Sequence, residues 1–343
     1  MDIVEPLRIG VLGTARITDL ALVAPAKELG IRLVAVAARD RDRATDFAAR
    51  HGIERVLDHY AALVSDAEVE VVYNPLVNAW HGPWNRAALE AGKHVLSEKP
   101  SAANADEAAS LREVAAGSGR HLVEAFHYAY HPLIDRVLTL IDDGAVGTVT
   151  GADIFLVMPP PEPWDARWSY DLAGGALMDL GCYALHLARL LTPAGAALTV
   201  TEARATEAPH DPRVDSRSEA LLRSATGAEF RIVADMTADR YHFAAHIRGS
   251  RGHIDLPAFI WPHADDRLIL HDARTGRTVT ERLGTRSSYT YQLEALRRLV
   301  RDGVPMLSDA DDAVTTMQLI DATYRRAGLP PRPTVAAVSD PRG

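Results

Sequence analysis

Short apolar runs of strand length alternate with longer segments of helical period through the first third of the chain. Leu7 to Leu12, Ile31 to Ala37, Val69 to Tyr73, His94 to Ser97 and His121 to Ala125 read as strands. Between them, Thr14 to Glu28, Arg41 to His51, Trp80 to Ala91 and Ala105 to Ala116 read as helices. Gly30, Gly52, Gly92 and Gly117 stand where a left-handed residue closes a helix. Strand and helix in strict alternation predict βαβ units and a doubly wound parallel sheet.

After Phe126 the pattern changes. A helix over Leu133 to Asp142 and a strand over Thr148 to Val157 lead into a proline-rich turn, Met158 to Pro163, and a helix over Ala176 to Leu191. Strand-like runs then follow one another without intervening helices: Leu198 to Thr206, Glu219 to Arg223, Glu229 to Met236, Phe243 to Arg248 and Leu268 to His271. Such a succession predicts a mostly antiparallel open sheet. Helices over Tyr289 to Arg301 and Asp309 to Ala327 close the chain. The expected fold is α/β over residues 1–126 and α+β over 127–343, with the C-terminal helix packing back on the first domain.

Composition narrows the function. A chain of 343 residues that is 47% hydrophobic supplies two cores. Its net charge of −9 disfavours a nucleic-acid partner, since phosphate contacts need clustered cations. One cysteine, Cys182, forms no internal disulfide and suits a reducing compartment. The acidic start, Met1 to Pro6, lacks the form of a secretion signal, and no run is long enough to span a bilayer. These features predict a cytoplasmic protein with a small-molecule partner and no membrane association.

The first strand runs into Gly10-Val-Leu-Gly13-Thr14-Ala15-Arg16-Ile17-Thr18. A dinucleotide pyrophosphate needs a tight turn without side chains before a helix N-terminus, and Gly13 supplies it, which predicts a Rossmann cofactor domain. Ala15 and Thr18 replace the second and third glycines of G-x-G-x-x-G, so the motif alone is weak. The second strand ends Ala38-Arg39-Asp40, with Arg43 one turn on. A small residue followed by arginine favours the 2′-phosphate of NADP; Asp40 turned inward would favour NAD. NADP is the preferred reading.

Two later segments carry chemistry. Asn74-Pro75-Leu76-Val-Asn78-Ala-Trp-His81 and Ser97-Glu98-Lys99-Pro100 follow strand ends, at the sheet edge where such folds bind ligands. Gly174-Gly175-Ala-Leu-Met-Asp179-Leu-Gly-Cys-Tyr183-Ala-Leu-His186 opens a helix, with Asp179, Tyr183 and His186 spaced for one face. The combination of E-K-P with G-G-x-L-x-D-x-G-x-Y resembles the glucose-fructose oxidoreductase and inositol dehydrogenase family. The tyrosine in place of the more usual histidine is similar to the branch that holds dihydrodiol and NADP-linked xylose dehydrogenases. The resemblance implies that Lys99 is an active-site residue, that Pro100 is commonly cis, and that Asp179 and Tyr183 flank the substrate. Gly10, Gly13, Thr14, Ala15, Arg16, Ile17, Ala38, Arg39, Arg43, Asn74, Pro75, Leu76, Asn78, His81, Glu98, Lys99 and Pro100 are then expected to line the cofactor. The chemistry agrees: hydride leaving a carbinol must be matched by proton loss, for which Tyr183 is the candidate if Lys99 lies near enough to favour the phenolate.

Four further expectations complete the reading. His127, Tyr128, Arg167, Trp168 and His186 are candidate substrate contacts, with a buried junction histidine and a surface loop as the plainer alternatives. No metal site is expected, because Pro132 disfavours a helix at His127 and His131 and no ligand cluster completes one. The family implies a homodimer or homotetramer through the open, partly apolar face of the second sheet. The expected reaction is hydride transfer at a secondary alcohol or carbonyl of a sugar, sugar derivative or cyclic diol. An NAD-assisted glycosidase and a non-enzymatic NADP sensor stay open as alternatives.

Overall fold

A computed structural model describes residues 5–193 and 196–335; the acidic start at 1–4 lies outside them. The described chain divides into two compact units, one of residues 5–126, Tyr289–Val314 and 334–335, the other of His127–Ser288 and Thr315–Pro333. No helix among these residues is long and apolar enough to cross a membrane.

In the first unit, strands β1 (Arg8–Leu12), β2 (Arg32–Ala37), β3 (Val56–Leu57), β4 (Val71–Asn74), β5 (His94–Ser97) and β6 (Leu122–Glu124) form a wholly parallel sheet in the order β3-β2-β1-β4-β5-β6. Helices α1 (Ala24–Leu29), α2 (Arg41–His51), α3 (Tyr60–Ser65), α4 (His81–Glu90) and α5 (Ala105–Ser118) connect the strands. Helices on both faces explain why the central strands are unbroken apolar runs; Val11, Val34, Val36, Val71, Val72 and Val95 are fully buried. Strand order reverses between β1 and β4, which places the ligand crevice of such a sheet at their carboxyl ends.

The first helix starts later than expected. The chain turns through Thr14 to Arg16, is helical from Ile17 and passes through a π turn, Asp19–Val23, before α1. Gly117 lies inside α5, and Gly119 is the left-handed cap. The short elements β3 and α3 were not anticipated.

The second unit holds α6 (Pro132–Asp142), α7 (Cys182–Leu190) and an eight-stranded sheet. Its strands are β7 (Val149–Val157), β8 (Leu198–Ala208), β9 (Asp211–Ser224), β10 (Glu229–Asp235), β11 (His242–Gly249), β12 (Gly252–Leu256), β13 (Arg267–Asp272) and β14 (Arg277–Arg282). Their order is β14-β13-β12-β11-β7-β10-β9-β8, antiparallel except where β10 pairs with β7. Helices α8 (Ser288–Asp302) and α9 (Ala310–Arg326) carry the chain between the units. β12 and β14 escaped the sequence reading because one is five residues with two charged or imidazole positions, and the other is a largely exposed edge strand.

One face of this sheet packs against α7 and its preceding turn through β7 and β10, where Ile154, Phe230 and Ile232 are buried. The opposite face is mixed, with Phe155, Val157, Leu221 and Ile269 partly exposed on it. Alternating positions along its strands carry ion pairs of Arg248 with Asp153 and of Arg217 with Asp235, and Arg217 also meets Glu219 at 2.6 Å. Charges laced between strands supply much of what this face presents to solvent.

Candidate active site

Parallel strands bring their carboxyl ends to one edge of the first unit, so four loops far apart in sequence meet there. Gly13 follows β1 at φ +77° and donates its N–H to the Ala37 carbonyl at 2.7 Å, tying the β1 and β2 ends together. A Cβ at this position would lie 3.0 Å from Leu76 Cδ2, in the loop after β4. The turn therefore has both a conformational and a packing reason for glycine, and its surface is bare enough for a pyrophosphate.

At the end of β2, Ala38 is buried while Arg39 and Arg43 are exposed. Asp40 caps α2, its Oδ1 accepting from Arg43 N at 3.0 Å, so this carboxylate is engaged at a helix start. The Tyr60 phenol, missed by the sequence reading, lies beside the Arg39 guanidinium; burial raises its pKa and Arg39 opposes that rise.

The E-K-P segment is held by an internal hydrogen-bond frame. Tyr73 donates to Glu98 Oε1 at 2.8 Å, and Ser101 N donates to Glu124 Oε1 at 2.6 Å. His81 sets Nδ1 2.7 Å from the Pro100 carbonyl and Nε2 2.7 Å from the Leu76 carbonyl. Burial drives the His81 pKa down to about 4, against the pull of those two carbonyls, and the nearby Lys99 charge lowers it further. Asn74 donates to Asn85 Oδ1 at 2.8 Å and to the His81 carbonyl at 3.2 Å, and Asn85 passes the chain on to Ser97 Oγ and the Ser101 carbonyl. The Lys99–Pro100 peptide is cis, as the resemblance implied.

Asn74 and His81 are buried and spend their side chains inside the protein, where they hold the loops after β4 and β5 together. Pro75 is buried, Leu76 and Asn78 are partly exposed, and Lys99 is half-buried between a pinned glutamate and a fixed proline. Thr14, Ala15 and Ile17 are partly exposed on the glycine turn, and Arg16 is fully so; Gly10 lies beneath it, where a Cβ would meet Leu63 and Val69 at 2.9 Å.

In the second unit, the motif helix opens with a π turn, Leu177–Gly181, and continues as α7. The two glycines before it are explained by what crowds them. A Cβ on Gly174 would lie 2.4 Å from the Arg167 carbonyl, and one on Gly175 2.1 Å from Asp215 Oδ1 and 2.6 Å from Arg332 Nη2. Asp215 and Arg332 form a fully buried ion pair at 2.7 Å. Asp215 also accepts from Leu177 N at 2.7 Å, and Arg332 donates to the Gly174 carbonyl at 2.6 Å. Thus the helix start is bolted from both sides.

Asp179 is nearly buried and accepts from Arg167 Nε at 2.7 Å; Arg167 also bonds Asp165 at 3.1 Å. The two carboxylates, Asp179 first, push the Arg167 pKa up. Arg167 is therefore the group that orients Asp179, a role sequence reasoning had not given it. Trp168 donates Nε1 to the Pro161 carbonyl at 3.3 Å. The Tyr183 ring meets His127 at 6.1 Å and Tyr128 at 5.9 Å between centroids. Of the candidate substrate contacts, His127, Tyr128 and His186 are buried, His127 against Ser288 Oγ at 2.8 Å and Tyr128 against His186 Nδ1 at 2.7 Å. They build the wall on which Tyr183 is mounted.

Comparison with known proteins adds an independent line. The family described as "Oxidoreductase family, NAD-binding Rossmann fold" matches residues 7–126, and the "GFO/IDH/MocA C-terminal domain" matches residues 134–255. D-xylose 1-dehydrogenase (NADP(+)) 2 of Haloferax volcanii is 36% identical over 324 residues, covering 93% of this chain and 96% of its own. The dTDP-3,4-didehydro-2,6-dideoxy-alpha-D-glucose 3-reductase of Streptomyces violaceoruber is 34% identical over 340 residues, covering 96% and 97%. A solved 3-ketoreductase from Actinomadura kijaniata, in complex with NADP and TDP-benzene, superposes with a TM-score of 0.86 at 30% identity, covering 95% of this chain and 98% of its own.

Proposed function

The chain belongs to the GFO/IDH/MocA oxidoreductase family, and on that premise we propose that it transfers hydride between NADP(H) and a secondary alcohol or carbonyl carbon of a sugar, sugar derivative or cyclic diol. The observation that carries this reading is the single sheet edge on which the bare Gly13 turn, the exposed Arg39 and the framed Lys99 stand together. Two relatives named above act, by their names, on a sugar or a sugar derivative, which supports the substrate class.

When bound, NADP supplies the hydride acceptor in oxidation and the donor in reduction. The chain's own residues supply the rest. Tyr183 carries the hydroxyl proton away or returns it, Lys99 stabilises the developing alkoxide with its ammonium, and Asp179, fixed by Arg167, orients the reacting hydroxyl. Asn74, Asn85 and His81 hold the Lys99 segment still, which keeps the electrostatic stabilisation preorganised. The decisive experiment is an absorbance screen at the reduced-nicotinamide band, with NADP and NAD, against aldoses, inositols, dihydrodiols and nucleotide-linked ketosugars. Absence of any cofactor conversion across these classes would overturn the assignment.

Selection of NADP rests on Arg39. With Asp40 committed to capping α2, the residue positioned to meet a ribose substituent is a cation. Arg39→Ala is expected to weaken NADP binding by about tenfold or more while NAD binding changes little, since a charge-assisted phosphate contact contributes roughly 1.5–3 kcal/mol. Calorimetric titration of both nucleotides checks this; equal losses for the two would remove Arg39 from the site.

We assign the protein to the cytoplasm, a setting that suits its single buried cysteine. On the family's pattern we infer assembly into a homodimer or homotetramer through the open face of the second sheet. Light scattering should then give a mass at least twice 37.2 kDa, and a monomer at working concentration contradicts it.

A further inference from the structure

Four side chains from three adjacent strands converge on the open face of the second unit's sheet, outside every segment assigned to catalysis. β12 lies between β11 and β13 and contributes His253 and Asp255, two residues apart and so on the same face. His246 on β11 stands directly opposite Asp255, and His271 on β13 stands directly opposite His253. We propose that His246, His253 and Asp255, with His271 beside them, form a binding site for one divalent transition-metal ion, zinc fitting best. This site is independent of the oxidoreductase reading.

The geometry is already close to what a cation needs. His246 Nδ1 lies 2.6 Å from Asp255 Oδ1, while His271 Nε2 and His253 Nε2 lie 3.3 and 3.7 Å from Asp255 Oδ2. Donor atoms of His246, His253 and Asp255 all fall within 4.8 Å of one another. Tetrahedral zinc with bonds near 2.0–2.1 Å spaces its donors by about 3.4 Å, which lies within the range these donor atoms already span. The rings lie close, His253 stacking on His271 at 4.2 Å between centroids and meeting His246 at 4.8 Å.

The surroundings favour a cation over a simple hydrogen-bonded cluster. Three imidazoles and one carboxylate are the donor types that zinc prefers, and neutral imidazole nitrogen is the ligating form. Thr278 Oγ1 lies 2.8 Å from His271 Nδ1 and fixes the ring with Nε2 toward Asp255, as outer-shell partners of metal ligands do. Arg248, opposite His253, is drawn away by its ion pair with Asp153. Beneath the cluster, Ile247, Ile254 and Leu268 are fully buried, so the strands that space the ligands are rigid. In the single chain the four side chains are 31–38% exposed.

The test uses the full-length, tag-free chain stripped with a chelator and titrated with Zn²⁺ by calorimetry, and with Co²⁺ by its visible d–d absorption. One equivalent per chain is expected, with a tetrahedral Co²⁺ spectrum displaced by Zn²⁺. His253→Ala and Asp255→Asn should each weaken binding by at least about tenfold, because removing even an outer-shell partner costs that much. His242→Ala, an exposed histidine on β11 outside the cluster, should leave the titration unchanged. Thermal unfolding without metal is expected to match the parent chain for each variant, showing that the ligands and not the fold were lost. No saturable uptake, or uptake that survives His253→Ala and Asp255→Asn, overturns the site.

Discussion

Lys99→Ala is expected to lower turnover by about two to three orders of magnitude, and Tyr183→Phe by about two to four, with NADP affinity in both variants within a few-fold of the parent. The size follows from what each side chain supplies. An ammonium aimed at a developing oxyanion acts only as charge builds, so its removal falls on the rate constant and not on cofactor binding. The Tyr183 hydroxyl is the one group that Tyr183→Phe removes, while the ring contacts with His127 and Tyr128 persist. Likewise, the hydrogen bonds that frame Lys99 run through Tyr73, Glu98, His81 and Pro100, none of which the alanine variant touches. Tyr128→Phe removes a buried hydroxyl that meets His186 at 2.7 Å in the wall behind Tyr183, and should cost stability and lower turnover far less than Tyr183→Phe does. Steady-state kinetics on a substrate found by the absorbance screen, paired with NADP titrations, checks all three. Normal turnover in both Lys99→Ala and Tyr183→Phe would sink the assignment of these residues.

The largest stability loss is expected at Arg332→Ala, about 3–5 kcal/mol, the range seen when one partner of a buried ion pair is removed. Arg332 and Asp215 are fully buried, and the other donors to Asp215 are neutral: Leu177 N, Ser218 Oγ and Tyr324 OH at 2.7, 2.7 and 2.9 Å. Without the guanidinium, a buried carboxylate must be protonated or hydrated in place. The loss reaches the site, because the same pair pins Gly174 and Leu177 at the start of the helix that carries Asp179 and Tyr183. A fall in melting temperature of roughly 10 °C is the thermal counterpart for a unit of this size. Arg332→Lys should recover only part of it, since an ammonium lacks the planar fork that reaches Gly174, Arg213 and Asp215 together. Urea unfolding of the two variants beside the parent decides the matter, and an unchanged midpoint for Arg332→Ala would show that the pair carries no net stability.

Period and punctuation along the sequence determined the parallel sheet, its helices and the succession of antiparallel strands, because those elements bury one face or two and must therefore repeat at 2 or 3.6 residues. Local chemistry likewise marked Gly13, Arg39, Lys99, Asp179 and Tyr183, whose side chains, or lack of one, are unusual for a strand end or helix start. What local pattern does not encode is the partner of a residue far along the chain. Arg332 sits in a proline-flanked segment without apolar period, yet it closes on Asp215, 117 positions away. The edge strand β14 has no buried face to announce it and exists only by pairing with β13. The histidines at 246, 253 and 271 look like scattered polar residues until sheet register sets them side by side. Tertiary structure decided these because burial and cross-strand pairing are properties of the assembled sheet, whereas propensity and hydrophobic period are properties of the chain.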